Sequence, residues 1–208
     1  MFKKFIPKED IASNSIIKSS TQRLIRNKLI EQIPNLNLNL NLNLNSLNQV
    51  VQVQDQDDNN NQLINILEII WPKKEPLYLI KCRDHVSILA CDGVPLFYQH
   101  FDGPYFPTLK LLHQYPILLP RVQVDRGAIK FVLAGANIMC PGLTSPGACL
   151  PVSLPAKTPV AVHAEGKEHA CAVGLTQLST EDMQKINKGI GVDNVHWLGD
   201  DLWSIEKL

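Results

Sequence analysis

The second half of the chain is a series of short apolar runs separated by turns rich in glycine and proline. Runs at residues 128–133, 158–163 and 170–175 have the length and composition of strands. One helix is clear there: it opens at Ser179, with Asp182 three residues on, and ends at Lys188-Gly189. Many short strands with a single helix are typical of a small barrel, so residues 119–200 are predicted to form a small, mostly β barrel. Residues 201–208 are expected to be a tail or a last strand.

The first half mixes helical and strand patterns. Ser20-Thr21 can cap a helix that ends at Pro34, and Pro107-Thr108 opens a short helix that runs to Pro116. Strand-like runs begin at 77, 86 and 96, and Asp92-Gly93 is typical of the hairpin turn between the last two. Apolar positions 63, 66, 67 and 70 add a helical repeat before Pro72. The predicted class is α+β, with a mixed α/β domain over residues 1–118 followed by a pseudo-β-barrel.

A low-complexity tract interrupts the first domain. Residues 35–45 alternate asparagine and leucine, and residues 55–61 read Asp-Gln-Asp-Asp-Asn-Asn-Asn. The alternation has the period of a strand, but a perfect dipeptide repeat fixes no register, and asparagine-rich tracts are usually disordered. Residues 35–62 are therefore predicted to be a disordered surface insertion.

Charge and composition narrow the class of protein. The hydrophobic fraction of 45% is enough for a core. The net charge of zero argues against a protein whose surface is covered in basic residues and binds nucleic acid in bulk. Residues 1–34 carry seven lysines and arginines against three acidic residues, so this segment is basic and could reach a phosphate backbone. No apolar run is long enough for a membrane helix, and no secretory signal pattern is present, so we expect a cytoplasmic protein without a membrane partner.

Cysteine and histidine spacing suggests neither disulfides nor a metal. The five cysteines are odd in number and none are spaced C-x-x-C, and the histidines form no i, i+4 pair. We expect reduced thiols, no metal and no cofactor.

Residues 125–148 are the most informative stretch for function. A strand is predicted over 128–133, and Arg126 and Lys130 would face one side of it because their spacing is even. The small residues at 134–136 would leave main-chain N–H groups free at a strand-to-helix junction, where a phosphate can bind. Two cations beside free amides suit a nucleic acid backbone.

This stretch resembles the PUA domain, an RNA-binding β barrel, and the whole chain resembles one family that contains it. That family is the malignant T-cell-amplified sequence protein family, and the resemblance covers everything except the asparagine–leucine tract. The matching segments are Met1–Phe5, Leu29–Gln32, Pro72–Lys74, Gly103–Leu109, Asp125–Ala148, Ala164–Lys167 and Asn187–Gly191.

The resemblance implies a pre-PUA domain followed by a PUA domain, and a translation factor rather than an enzyme. The implied partners are density-regulated protein in a heterodimer, the small ribosomal subunit and the acceptor end of tRNA. The implied roles are initiation, reinitiation and recycling after termination. Expected RNA-binding residues are Arg126, Lys130, Gly135, Ala136, Asn137, Met139, Pro141 and Gly142. Expected contacts to rRNA are Lys3, Lys4, Lys8, Arg23 and Arg26.

Two alternatives stay open. An RNA-modifying enzyme, or an accessory subunit of one, would use the barrel to dock its substrate, and Cys140 could then be a nucleophile if His163 or His169 acted as its base. A scaffold that binds only proteins would show no salt-sensitive affinity for RNA.

Overall fold

The first half of the chain forms an antiparallel sheet in a computed structural model that describes residues 2–40 and 64–208. In chain order the strands described in this half are β1 (Ile11–Ile16), β2 (Asn39–Leu40), β3 (Ile64–Asn65), β4 (Leu77–Cys82), β5 (Val86–Cys91), β6 (Val94–His100) and β7 (Tyr105–Pro107). Five of them make one sheet in the order β1-β4-β5-β6-β7, and β2 pairs only with β3. The predicted turn at Asp92-Gly93 is confirmed: both residues have positive φ, of 49° and 75°, as a type I′ hairpin requires.

The helices described in the first half are α1 (Pro7–Asp10), α2 (Ser19–Gln32), α3 (Ile66–Ile70) and α4 (Leu109–Gln114), with 3₁₀ turns at Pro34–Asn37 and Pro116–Leu118. Three of them bury apolar residues, among them Leu29 of α2, Leu67 of α3 and Leu109 of α4, whereas Leu24 of α2 is exposed. Thr108 caps α4 as expected, because its side chain accepts a hydrogen bond from the N–H of Leu111. The cap expected at Ser20-Thr21 is wrong, since α2 begins at Ser19 and its N-cap, Lys18, makes no side-chain cap bond.

The tract predicted to be disordered begins inside ordered structure. Leu36 is fully buried in the 3₁₀ turn that Pro34 opens, and Asn39 pairs with Asn65 across the β2–β3 ribbon. The prediction for 35–40 is therefore wrong, because a leucine of the repeat serves the core of the first domain. Residues 41–62 lie outside the described residues.

The second half forms a second five-stranded sheet. Its strands are β8 (Arg121–Val124), β9 (Ile138–Met139), β10 (Pro159–Ala164), β11 (Ala170–Thr176) and β12 (Ile190–Trp197). They are ordered β8-β10-β11-β12-β9, and β8 runs parallel to β10 while the other neighbours are antiparallel. The predicted α+β class, with a mixed first domain and a curled β second domain, is confirmed.

Three helices in the second half accompany the one that was expected. They are α5 (Ile129–Leu133), α6 (Pro141–Thr144) and α8 (Asp201–Ser204), and the expected helix is α7 (Thr180–Ile186), capped by Ser179. The strand predicted over 128–133 is wrong. Asp125 starts a turn by accepting a hydrogen bond from the N–H of Ala128 at 2.7 Å, and the chain continues as α5. A short apolar run does not by itself distinguish a strand from a helix that is half buried.

The last residues return to the first domain, and the prediction of a tail or last strand is replaced by α8. Leu202 is 2% exposed and packs in the core of the first half. The N–H of Asp201 donates to the carbonyl of Phe2 at 3.0 Å, and that of Leu208 to Gly93 at 2.8 Å. Both ends of the chain thus fasten the two sheets to each other.

Candidate nucleic-acid interface

The small residues after α5 form a helix C-cap rather than an open nest of amides. Gly135 has a φ of +80°, its N–H donates to Val132 at 2.9 Å, and the N–H of Ala136 donates to Phe131 at 3.0 Å. This pair of bonds is the Schellman motif, which closes a helix. The expectation that these two amides are free to hold a phosphate is therefore wrong.

Gly135 also makes room for Trp197. A Cβ built at this position would lie 2.4 Å from the Trp197 ring, which is shorter than real Cβ contacts. Trp197 is 5% exposed and belongs to the core of the second domain. The glycine is therefore required by backbone conformation and packing together.

Asn194, which the sequence did not single out, holds the segment between α5 and β9. Its Nδ2 donates to the carbonyls of Val132 and Ala136 at 3.0 and 3.1 Å, and its N–H donates to Asn137 Oδ1 at 3.0 Å. These bonds attach the end of α5 to β12. No sequence signal points to this residue, because an asparagine inside a strand carries no motif.

The side chains left in solvent around this segment are apolar, aromatic and basic. Phe131 is 56% exposed, Leu133 42%, Met139 49% and Ile190 41%, and Lys130 is exposed. Lys130 Nζ lies 4.9 Å from the centre of the Phe131 ring. Because α5 and β9 both lie against β12, and Met139 pairs directly with Ile190, we call these five residues the α5–β9 edge.

This composition suits single-stranded RNA. Aromatic and apolar side chains stack on unpaired bases, and lysines neutralise phosphates. Lys130 and Met139 were expected RNA-binding residues. Phe131, Leu133 and Ile190 were not, because apolar residues in a predicted strand are expected to be buried in the core. Their exposure is visible only once α5 is known to be a helix.

Arg126 lies apart from Lys130 and has a partner. It sits in the turn before α5, so the expectation that both cations share one strand face is wrong. Its N–H donates to Glu165 Oε2 at 3.0 Å, and its Nη2 lies 3.8 Å from Glu165 Oε1. The guanidinium is 82% exposed, so the ion pair is weak and Arg126 stays accessible to an anion.

The turn at 140–142 buries Cys140 and exposes Pro141. The N–H of Cys140 donates to the carbonyl of Gly189 at 2.9 Å, and the carbonyl of Gly142 accepts from Asp125 at 3.0 Å. Burial raises the pKa of the Cys140 thiol. Within the described residues its sulfur makes no hydrogen bond to a histidine, so Cys140 lacks what activates a thiol nucleophile.

Four of the five basic residues expected to contact rRNA are exposed: Lys3, Lys4, Lys8 and Arg23. Arg26 is different. Its guanidinium lies 3.8 Å from the centre of the Trp71 ring and 3.7 Å from Glu68, and burial lowers its pKa. Arg26 therefore connects α2 to α3 and the segment after it. These contacts account for an arginine at this position, and no contact with RNA is needed to explain it.

The described residues contain neither a grouped set of metal ligands nor a membrane-spanning helix. Over 2–40 and 64–208, no three or more histidine, cysteine or acidic side chains are grouped to hold a metal ion. In the same residues, no helix has both the length and the apolar character that crossing a membrane needs.

Sequence comparison assigns the family. The Pre-PUA-like domain matches residues 5–116 and the PUA domain matches residues 120–198. Malignant T-cell-amplified sequence 1-A of Xenopus laevis is 45% identical over 206 residues, which cover 99% of this chain and 98% of that protein. This chain belongs to the malignant T-cell-amplified sequence family. The resemblance that the motifs indicated is thereby confirmed.

Other members of the malignant T-cell-amplified sequence family match to the same degree. Malignant T-cell-amplified sequence 2 of Homo sapiens is 45% identical over 207 residues, which cover 99% of this chain and 98% of that protein. The homolog of Dictyostelium discoideum is 45% identical over 203 residues, with 98% and 97% covered. Family membership, with its PUA domain, supports an RNA-related role.

Solved structures agree with the fold. A conserved PUA domain protein from Thermoplasma acidophilum superposes with a TM-score of 0.57 at 18% identity, covering 92% of this chain and 98% of that one. A hypothetical protein from Pyrococcus horikoshii gives 0.61 at 19% identity, with the same coverage. At these identities the likeness concerns the arrangement of both domains and nothing finer.

Proposed function

We propose that this protein is a non-enzymatic translation factor that binds the small ribosomal subunit and the acceptor end of tRNA. It acts in the cytoplasm with density-regulated protein, in initiation and reinitiation and in recycling after termination. Membership of the family supports this proposal, together with the RNA-related role of its PUA domain. The observation that carries it is the α5–β9 edge, where exposed aromatic and apolar side chains surround a lysine.

The edge suits an RNA end better than a duplex. A duplex offers phosphates and groove edges, whereas a single-stranded end offers base faces that stack on Phe131 and pack against Met139. Lys130 then meets the phosphate between two stacked bases. Arg126, 82% exposed at the start of the same segment, is placed to meet a second phosphate.

Positioning rather than bond chemistry is the proposed mechanism. The buried Cys140 thiol, with its raised pKa, does not favour the enzyme alternative. The exposed cations Lys3, Lys4, Lys8 and Arg23 give the first domain a surface for rRNA, and the second domain presents its edge to tRNA. Because the two domains are held together by contacts, two separate RNA surfaces allow one protein to orient tRNA relative to the ribosomal subunit.

The proposal is tested by co-sedimentation of the full chain with small ribosomal subunits, with and without density-regulated protein. We expect the chain to pellet with subunits, more completely when the partner is present, and less completely as salt rises. Replacing Lys3, Lys4, Lys8 and Arg23 by glutamine is expected to reduce the pelleted fraction. Lys167→Gln, an exposed lysine outside both surfaces, is the control. No pelleting under any of these conditions contradicts the proposal.

A further inference from the structure

A cleft of about 280 Å³ opens at the junction of the two domains, away from the α5–β9 edge. Its lining comes from the N-terminal segment, the hairpin between β4 and β5, the end of β6 and one residue of β12. The apolar part includes Phe2 and Phe5, which are 1% and 7% exposed, and Val195 of the second domain. The volume is at the small end of ligand sites, so it suits one small group rather than a chain segment.

Charged side chains without partners surround this cleft. Lys4, Arg83 and Asp84 all line it and are exposed. Across residues 2–40 and 64–208, none of the three makes a side-chain hydrogen bond or ion pair. Asp10, which also lines the cleft, is already occupied, because its Oδ2 accepts from the N–H of Ile6 at 2.7 Å. The groups without a side-chain partner are therefore two cations and one carboxylate, and Asp10 adds a second negative charge to the lining.

Stacked rings continue the cleft onto the surface. His85 and Phe101 lie with ring centres 4.4 Å apart at 21°, and Phe101 is 58% exposed. His100, which lines the cleft, lies 4.6 Å from Phe101. The hairpin that carries Asp84 and His85 has positive φ at both residues, 55° and 57°, so its backbone is held in a conformation that non-glycine residues seldom adopt.

We infer that this cleft binds a single unpaired nucleotide of RNA. Each part of a nucleotide meets a matching group there: the base packs on the aromatic and apolar floor, and Arg83 meets the phosphate together with Lys4, which is shared with the surface proposed for rRNA. The Asp84 carboxylate, which only accepts hydrogen bonds, meets amino and imino donors on the base edge. Guanine offers two adjacent donors, N1–H and the N2 amino group, to the two carboxylate oxygens. Uracil has no amino group, so guanine is the preferred base.

The inference rests on the proposed function in one respect, namely that the natural ligand is taken to be RNA. It adds a second, base-selective contact at the domain junction to the one proposed at the α5–β9 edge. A nucleotide bound there touches both domains, since Phe5 belongs to one and Val195 to the other.

The test is titration of the full chain with guanosine 5′-monophosphate and, separately, with uridine 5′-monophosphate. Binding is monitored through the NMR chemical shifts of Val86 and Val195. We expect saturable millimolar binding, with guanosine monophosphate the tighter ligand. Arg83→Gln is expected to weaken both ligands by about threefold, as loss of one exposed ionic contact does. Asp84→Asn keeps a residue that tolerates positive φ and is expected to remove the preference for guanosine. Lys167→Gln is the control and is expected to change neither affinity.

Several outcomes would overturn the inference. They are no shift at Val86 and Val195, an equal response to inorganic phosphate alone, or equal affinity of the two nucleotides in the unsubstituted chain. Protection of these signals by density-regulated protein without RNA would assign the cleft to that protein instead. Lys130→Ala separates the two proposals. It should leave nucleotide binding in the cleft unchanged while weakening tRNA binding, so either proposal can fail while the other stands.

Discussion

Gly135 and Asn194 fix the shape of the proposed RNA edge without contacting RNA. Gly135 ends α5, and because it has no Cβ it leaves space for the Trp197 ring. Asn194 attaches the same segment to β12 through three hydrogen bonds. The residues that would touch RNA, Lys130 and Phe131, lie on α5, a short helix whose C-terminal end these contacts hold in place. A site built on a fixed element orients its ligand more sharply than one on a loop.

Gly135→Ala is expected to destabilise the protein by about 2–4 kcal/mol, because the alanine both meets Trp197 and adopts a positive φ. Gly166→Ala is the matched control. Gly166 has a φ of +73°, but its Cβ would meet nothing within 4 Å, so only backbone strain of about 1 kcal/mol is expected. The free energy of unfolding in urea measures both variants. Equal losses would show that Trp197 does not need the space.

At the level of elements, the β2–β3 ribbon is where the first part of the asparagine–leucine tract joins the first domain. Leu40 pairs with Ile64, so the two ends of residues 41–63 lie side by side. Leu36, which is fully buried in the core of the first domain, precedes the ribbon. We therefore expect the fold of the first domain to tolerate a change in the number of residues between Leu40 and Ile64.

Replacing residues 41–63 by Asn-Gly, the usual two-residue hairpin turn, is expected to preserve the fold. The free energy of unfolding should change by less than about 2 kcal/mol, since shortening a loop removes only closure entropy. Affinity for tRNA should stay the same, because none of the residues proposed to contact RNA belongs to 41–63. Thermal unfolding and filter binding measure the two quantities. A large loss of affinity would assign an RNA contact to the tract.

The elements also show what sequence patterns can and cannot predict. The hairpin at Asp92-Gly93 and the capped helices α4 and α7 were predicted because their signals are local. The prediction of a strand at 128–133 is wrong, because the apolar residues of this run do not all face the core. Val132 is buried, whereas Phe131 and Leu133 face solvent. Only Lys130 and Met139 of the α5–β9 edge could be predicted from the motif, since the exposure of the other three side chains depends on tertiary packing.

For the whole molecule, the junction between the domains is rich in histidine. His113 of α4 and His169 stack with ring centres 5.0 Å apart, and His163 is 5% exposed beside Leu112 and Pro116. Burial, with Arg121 and the other two histidines adding repulsion, lowers the pKa of His163 to about 4, although the carbonyl of Glu168 opposes this. Its Nδ1 has no hydrogen-bond partner within the described residues.

Stability is therefore expected to fall as pH drops from about 6.5 to about 4. The unfolded chain protonates His163 near the ordinary value of about 6.5, whereas the folded chain resists down to about 4, so unfolding takes up a proton in this window. His163→Gln should flatten the dependence in that window. Urea unfolding at a series of pH values gives the measurement. An unchanged slope in the variant would assign the proton uptake to other groups.

The central claim is that the α5–β9 edge holds a single-stranded RNA end, and the salt dependence of tRNA binding tests it most directly. Affinity is measured by filter binding for the unsubstituted chain, Lys130→Ala, Phe131→Ala and the control Lys167→Ala. Lys130→Ala should lower the salt slope by about one, and Phe131→Ala should cost about 1–3 kcal/mol with the slope unchanged. Full affinity and an unaltered slope in both edge variants would contradict the claim.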